Sequence, residues 1–199
     1  MTRGDLIGYF GYGSLVNRKT LRTSYVDAVR GELKGFRREW NIRGDTPHGP
    51  VCALTARRDP DISIQGLLVV DLAENLGQVD EREARYDRVR LSDVDLDLEA
   101  DVQVSELYVY QAKSKFTGQQ NPKFPIWQSY VDAVMQGYMT EFGEAGLRRF
   151  VSHTAGWEQC ILEDREAPHY PRAVELLASE EQLFDDLIRE KRAGIRSRA

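Results

Sequence analysis

The alternation of apolar and polar residues divides the chain into a strand-rich first half and a helix-rich second half. Leu6 to Tyr12 is an apolar and aromatic run that breaks at Gly13-Ser14 before a polar stretch. A short apolar run bounded by glycine predicts a buried strand ending in a tight turn. Val16 to Tyr25 is polar and predicts a short helical turn. Val26 to Ile42 alternates in places and predicts one or two strands, with Gly31 and Gly35 marking bulges or bends. Gly44 to Pro50 is dense in turn formers and predicts a loop, either a surface excursion or a border of the functional cleft. Val51 to Thr55 and Ile62 to Val70 predict two further strands, joined by the charged turn Arg57-Arg58-Asp59-Pro60-Asp61. Gln65 to Val70 is apolar enough to be central in a sheet. Asp71 is placed to cap a helix over Ala73 to Glu83, after which Arg85 to Leu91 is extended. Asp93 to Asp101 reads as an acidic, turn-like spacer. Val102 to Gln111 then alternates with period two and predicts a strand.

The period changes after that. Pro125 suits a helix start, and Ile126, Tyr130, Val134 and Tyr138 recur every four residues along one helix face. Gly143 separates this helix from a shorter one over Glu144 to Phe150. Pro168 and Pro171 make residues 164 to 172 irregular. Glu180 to Arg192 closes the chain as a helix with acids early and bases late, complementary to the helix dipole. Strands followed by helices predict an α+β fold rather than an alternating parallel one.

Composition narrows the function without choosing it. The length of 199 residues predicts one domain, and 41% hydrophobic residues suffice for one sizeable core. A net charge of −5 and a pI near 5.3 argue against nucleic acid as the partner. The arginine-rich patches at Arg37-Arg38, at Arg57-Arg58 and after Arg189 have acidic neighbours and read as solvated surface. No run approaches the roughly 18 apolar residues of a membrane span, and Met1 to Asp5 has no apolar core of signal-peptide type. Two distant cysteines, Cys52 and Cys160, and three scattered histidines lack the spacing of a disulfide scaffold or a metal site. The expectation is a reduced, cytoplasmic, metal-free protein.

Two stretches carry candidate chemistry. Gly11 and Gly13 in Tyr9-Phe10-Gly11-Tyr12-Gly13-Ser14-Leu15 let a ligand approach the backbone closely, and N–H groups exposed in such a turn can face an anion or a developing oxyanion. Taken alone, an ordinary strand-to-helix turn explains the stretch equally well. The second is Val79-Asp80-Glu81-Arg82-Glu83-Ala84-Arg85-Tyr86, at a predicted helix end. Five charged positions there read first as a solvated terminus. A carboxylate at a helix C-terminus meets the negative end of the dipole, however. If it is also desolvated its pKa rises, which suits a group that must act as base and then as acid.

Taken together, Phe10-Gly11-Tyr12-Gly13-Ser14-Leu15 and Asp80-Glu81-Arg82-Glu83 with Tyr86 resemble the gamma-glutamylcyclotransferase-like superfamily. Its members have a YGS[NL] loop after the first strand and an acidic helix end followed by a tyrosine. Leu33-Lys34-Gly35-Phe36-Arg37-Arg38 resembles the family's "LxGFRR" strand, and Ser129 to Tyr138 its "SYLxxVxxGx" helix. The FGYGSL spelling is closest to the ChaC-like, glutathione-degrading branch. The resemblance covers residues 6 to 150, leaving 151 to 199 as a helical C-terminal extension. It implies a small mixed, partly closed β-barrel with surrounding helices, and release of 5-oxoproline from γ-glutamyl compounds without metal or cofactor. It assigns Glu83 as the catalytic carboxylate, Tyr12, Gly13, Ser14 and Leu15 as the substrate-binding loop, and Tyr86 as a positioning tyrosine. Glu81 ranks second for the base. Tyr130 is a weaker candidate, because a tyrosine on an apolar helix face is more often core.

Two positions depart from the family pattern. Ala84 stands where glycine usually follows the catalytic Glu. Residues 152 to 172 are not part of the pattern, and Arg165 and Arg172 there could recognise a substrate carboxylate over the cavity. A packed extension or a contact in a homodimer is the plainer reading of that segment. The rival functions are a catalytically silent binder of a small anionic metabolite and a γ-glutamylamine-specific or amidotransferase-type enzyme on the same scaffold.

Overall fold

The structure is a computed structural model that describes residues 5–21 and 24–196. Arg22 and Thr23 of the expected helical turn, the extreme N-terminus and the end of the basic tail lie outside the described residues. In chain order the strands and helices are β1 (Leu6–Gly11), β2 (Asp27–Thr46), β3 (Gly49–Leu72), α1 (Leu76–Arg82), β4 (Tyr86–Leu91), β5 (Leu96–Leu98), β6 (Glu106–Ala112), β7 (Ile126–Trp127), α2 (Gln128–His153), β8 (Thr154–Ala155), β9 (Ile161–Leu162) and α3 (Ala178–Arg196). The main sheet runs β4-β6-β1-β3-β2-β5, with β8 added to β2, while β7 and β9 pair separately. β1 is parallel to β6 and antiparallel to β3. This is the expected α+β architecture, a mixed sheet curled into a half-barrel and dressed by helices.

Both faces of the central strands are covered, which explains why β1 reads as a continuous apolar run. Phe10 belongs to the main core with Leu107 and Val109, whereas Ile7 and Tyr9 join Tyr108, Tyr110 and Val79 in a second cluster. Alternation therefore sorts side chains between two dry faces rather than between core and water. α2 fills the curl of the sheet, and residues 128 to 138 are buried all round. At Gly143 the backbone takes φ 65° and ψ −171°, a non-helical conformation that separates two helices as expected, the second running on past Phe150 to His153.

Several boundaries differ from the sequence reading. The expected loop over Gly44–Pro50 shrinks to Pro47-His48, because Thr46 pairs with Gly49 and Asp45 with Pro50. The expected break at 57–61 lies inside the single long strand β3. Lys34 pairs with Ser63 and Phe36 with Arg58, so residues 59–62 bulge outward. Pro60 has no N–H to give the ladder, and the bulge needs none. The acidic spacer contains a 3-10 turn at Asp93–Asp95 and the short strand β5. β6 begins only at Glu106, and Ile126 lies in β7 rather than in the helix.

Asp71 is not the helix cap. It is fully buried, its carboxylate accepts from Leu72 N–H and the Asn75 side chain, and a 3-10 turn at Ala73–Asn75 precedes α1. The extension is packed into the core. Trp157 is buried against Trp40 and Phe150. Asp164 accepts from Ser129 N–H and Ser129 Oγ, both at 2.7 Å, and so caps the start of α2. No described helix is long and apolar enough to cross a membrane.

Candidate active site

The glycine loop lies at the C-terminal end of β1, beyond its last pairs with β3 and β6. A 3-10 turn over Ser14–Val16 follows, and its first internal bond runs from Val16 N–H to Gly13 C=O. The turn therefore leaves the Ser14 and Leu15 amides unused by its own ladder. The loop is held from behind by Arg38, a guanidinium only 1% exposed. Arg38 donates to the carbonyls of Tyr12 (3.3 Å) and Gln65 (3.2 Å), to Thr154 Oγ1 (3.0 Å) and to the Tyr138 hydroxyl. The Tyr138 hydroxyl in turn lies 2.7 Å from the Gln65 carbonyl and 3.0 Å from that of Tyr12. A peptide unit is planar and trans, so fixing the Tyr12 carbonyl toward Arg38 turns the Gly13 N–H to the opposite side. Gly137 lets α2 approach this loop, since a Cβ there would stand 2.6 Å from Asn17 N. The Asn17 side chain donates to Ala133 C=O on the same helix.

Glu83 follows α1 directly as its C-cap residue. Its N–H donates to Val79 C=O, and its carbonyl accepts from Tyr86 N–H at 2.8 Å, so Glu83 and Tyr86 share one turn. That turn is tied down on three sides. Arg85 donates to the Asp45 carbonyl at the tip of the β2–β3 hairpin, Lys113 Nζ donates to Ala84 C=O, and Tyr86 Oη donates to Leu54 C=O at 2.8 Å. The described residues include no non-glycine residue with positive φ. Ala84 therefore sits in ordinary backbone, and the change from glycine carries no strain.

These two pieces meet. One cleft is lined by Phe10 to Leu15, Leu54, Glu83, Tyr86, Tyr110 and Tyr130. The cavity is small, about 40 Å³, well below the ~300–1,000 Å³ of small-molecule sites, so a substrate must extend out of it into solvent or widen it. Thus Tyr12, Gly13, Ser14, Leu15, Glu83 and Tyr86 all line one space. Glu81 is exposed and does not.

Glu83 is the one carboxylate in the lining, with a side chain 15% exposed. Burial pushes its pKa up, against the opposing pull of Arg82 and Arg172. Arg82 Nε stands 3.1 Å from Glu83 Oε1. The phenols of Tyr12, Tyr86, Tyr110 and Tyr130 are all driven upward by desolvation, so they remain neutral hydrogen-bonding groups. Their hydroxyls have fixed partners, Tyr12 on the Tyr110 carbonyl and Tyr110 on Asp80 at 2.6 Å. Among the described residues, no cluster of three or more His, Cys, Asp or Glu could hold a metal ion.

Some residues of the site escaped the sequence reading. Tyr110 and Leu54 carry no motif, and Tyr130, weighed as core, is buried and also lines the cleft. The usable signal was chemical: a buried tyrosine needs a partner for its hydroxyl, which often brings it to a polar recess. Arg165 proves structural. It bonds Asp132 at 2.7 and 3.0 Å and Asp185 at 2.8 and 3.1 Å. These ion pairs line a larger open cleft between α3 and residues 161–169, where Arg189 is likewise paired, with Asp186.

Comparison with solved structures agrees with this architecture. A protein described as gamma-glutamyl cyclotransferase superposes with a TM-score of 0.58 at 11% identity, covering 92% of this chain and 99% of its own. The fold is that of gamma-glutamyl cyclotransferase. An uncharacterized protein from Homo sapiens superposes on this chain with a TM-score of 0.53 at 12% identity, covering 91% of this chain and 99% of its own. YkqA from Bacillus subtilis matches with a TM-score of 0.54 at 19% identity, over 76% of this chain and 56% of YkqA. No family model and no curated protein sequence matches the chain.

Proposed function

We propose that the protein is a γ-glutamyl cyclotransferase, releasing 5-oxoproline from a γ-glutamyl substrate, with Glu83 as base and then acid. The observation that supports this reading is the single desolvated carboxylate, Glu83, sharing the lining of one cleft with the Tyr12–Leu15 loop. Glu83 takes a proton from the substrate's α-ammonium. The freed amine nitrogen attacks the γ-carbonyl carbon, and the carbonyl π electrons move onto oxygen. Backbone N–H groups of Gly13 to Leu15 face that developing oxyanion. Collapse restores the carbonyl and breaks the bond to the departing nitrogen. The nucleophile begins as an ammonium and ends as a lactam N–H, so two protons pass through Glu83 to the leaving amine.

The raised pKa of Glu83 serves both halves of that relay, because a stronger base is easily recharged and still gives the proton back. Ring closure is intramolecular, so holding the substrate folded supplies much of the acceleration. The test is 5-oxoproline release from glutathione, γ-glutamyl amino acids and γ-glutamyl amines, with Glu83→Gln as control. Activity surviving Glu83→Gln but lost in Glu81→Gln moves the base to Glu81. Binding without release from any substrate establishes the silent-binder reading instead.

A further inference from the structure

In the C-terminal extension, Arg172 is a cation without a carboxylate partner among the described residues. Arg172 is half-buried, and its Nε donates to Tyr170 Oη at 3.1 Å while its guanidinium lies over the Tyr170 ring. The Tyr170 ring is 5.0 Å from that of Tyr130, which lines the cleft with its hydroxyl beside Gly13. Among the described residues, no Asp or Glu oxygen lies within ion-pair distance of Arg172, although the chain holds 32 acidic residues. The neighbouring Arg165 has two carboxylate partners. A guanidinium offers five donors in a fork that fits a carboxylate, and the one bond from Nε leaves most of that fork free. The field of Arg172 reaches Glu83, whose acidity it increases, so cation and catalytic carboxylate share one locality.

We infer that Arg172 is a specificity-determining residue that receives the carboxylate of the departing amine, selecting γ-glutamyl amino acids over γ-glutamyl amines. This rests on the cyclotransferase reading above. The inner wall, formed by Glu83 and the Tyr12–Leu15 loop, is occupied by the atoms that react. Tyr170 and Arg172 are outside that lining and adjoin it through Tyr130, so in this reading they are reached by the part of the substrate that extends beyond the scissile amide. That part leaves as the amine, and its carboxylate is what a free guanidinium recognises.

The experiment compares γ-glutamyl-alanine with γ-glutamyl-ethylamide, which differ only in that carboxylate. It uses the full chain as wild type, Arg172→Gln and Arg172→Lys, at a pH above the acid limb so that altered Glu83 ionisation does not intrude. A charge-assisted pair is worth ~1.5–3 kcal/mol, so Arg172→Gln lowers the ratio of the two kcat/KM values by about 10- to 150-fold, mainly through KM. Arg172→Lys restores part of the ratio. An unchanged ratio, whether both substrates fall together or neither falls, overturns the assignment. Calorimetric titration of both compounds into Glu83→Gln, with and without Arg172→Gln, reads the same selectivity without turnover. If wild type releases no 5-oxoproline, the cyclotransferase reading fails, and the calorimetric ratio alone decides for or against Arg172.

Discussion

Replacing Tyr138 by Phe removes one hydroxyl from the bracket behind the glycine loop and leaves everything else in place. The ring stays stacked on Phe150 at 4.6 Å, and no cavity opens. What is lost is an acceptor for Arg38 and a donor shared between the carbonyls of Gln65 and Tyr12. Arg38 is nearly sealed from water, has no carboxylate partner among the described residues and is held by carbonyls, hydroxyls and two aromatic rings. A hydrogen bond to a charged group contributes ~1.5–3 kcal/mol. For a chain of this size each kcal/mol shifts Tm by about 2–4 °C, so the variant should melt about 3–12 °C lower. The assay is thermal unfolding followed by circular dichroism, with urea unfolding to show that the m-value is unchanged. The Tyr138 phenol is pushed up to about 12 by burial, so it is neutral and the deficit should be the same at pH 6 and pH 9. A Tm within about 1 °C of wild type would refute the reasoning, since the two carbonyls would then satisfy Arg38 without the phenol.

Glu83→Gln should cut 5-oxoproline release by at least ~10²-fold, the usual scale of general acid–base catalysis, while the exposed Glu81→Gln stays within about twofold. In wild type, kcat/KM should fall as pH drops through the raised pKa of Glu83, giving an acid limb above the ordinary carboxylate range. The same shift acts on stability. Because the folded pKa exceeds the unfolded one, wild type loses stability as pH rises from the unfolded value through the folded one. Urea unfolding should therefore find Glu83→Gln more stable than wild type at pH 7.5, with the difference vanishing near pH 3. Gly137→Ala puts a Cβ 2.6 Å from Asn17 N, and overpacking of that kind costs ~1–3 kcal/mol; urea unfolding measures the cost, and activity should fall with it as Asn17 and the loop are displaced. Cys52 is buried with its thiol pushed up to about 12, so iodoacetamide at pH 8 should modify Cys160 and spare Cys52, as peptide mass mapping will show.

The elements whose two faces both pack against apolar neighbours were the easiest to read from sequence, β1 above all. Glu83, Tyr86 and the glycine loop were legible as two weak stretches at a recognisable spacing, and the structure puts them around one cleft. The β2–β3 ladder was read as broken because Gly44, Pro50 and Pro60 look like interruptions. A two-residue turn and a bulge absorb them, and only long-range pairing makes that workable. Arg165 and Arg172 are indistinguishable as letters. Their difference is whether Asp132 and Asp185 arrive alongside, which depends on how α3 docks against α2. Tyr110 was hidden for the same reason, since its place beside Glu83 depends on β4 pairing with β6.

The parallel pairing of β1 with β6 has a kinetic consequence. Ile7 meets Glu106 across almost a hundred residues, whereas β2 and β3 are joined by two. Loop closure over such a span is entropically slow, and a local hairpin zips first. The glycine loop hangs from the end of β1, so it takes its place only when the long-range strand is inserted. Refolding followed by enzymatic activity should then lag behind refolding followed by β-sheet signal, making turnover a reporter of the last strand to arrive.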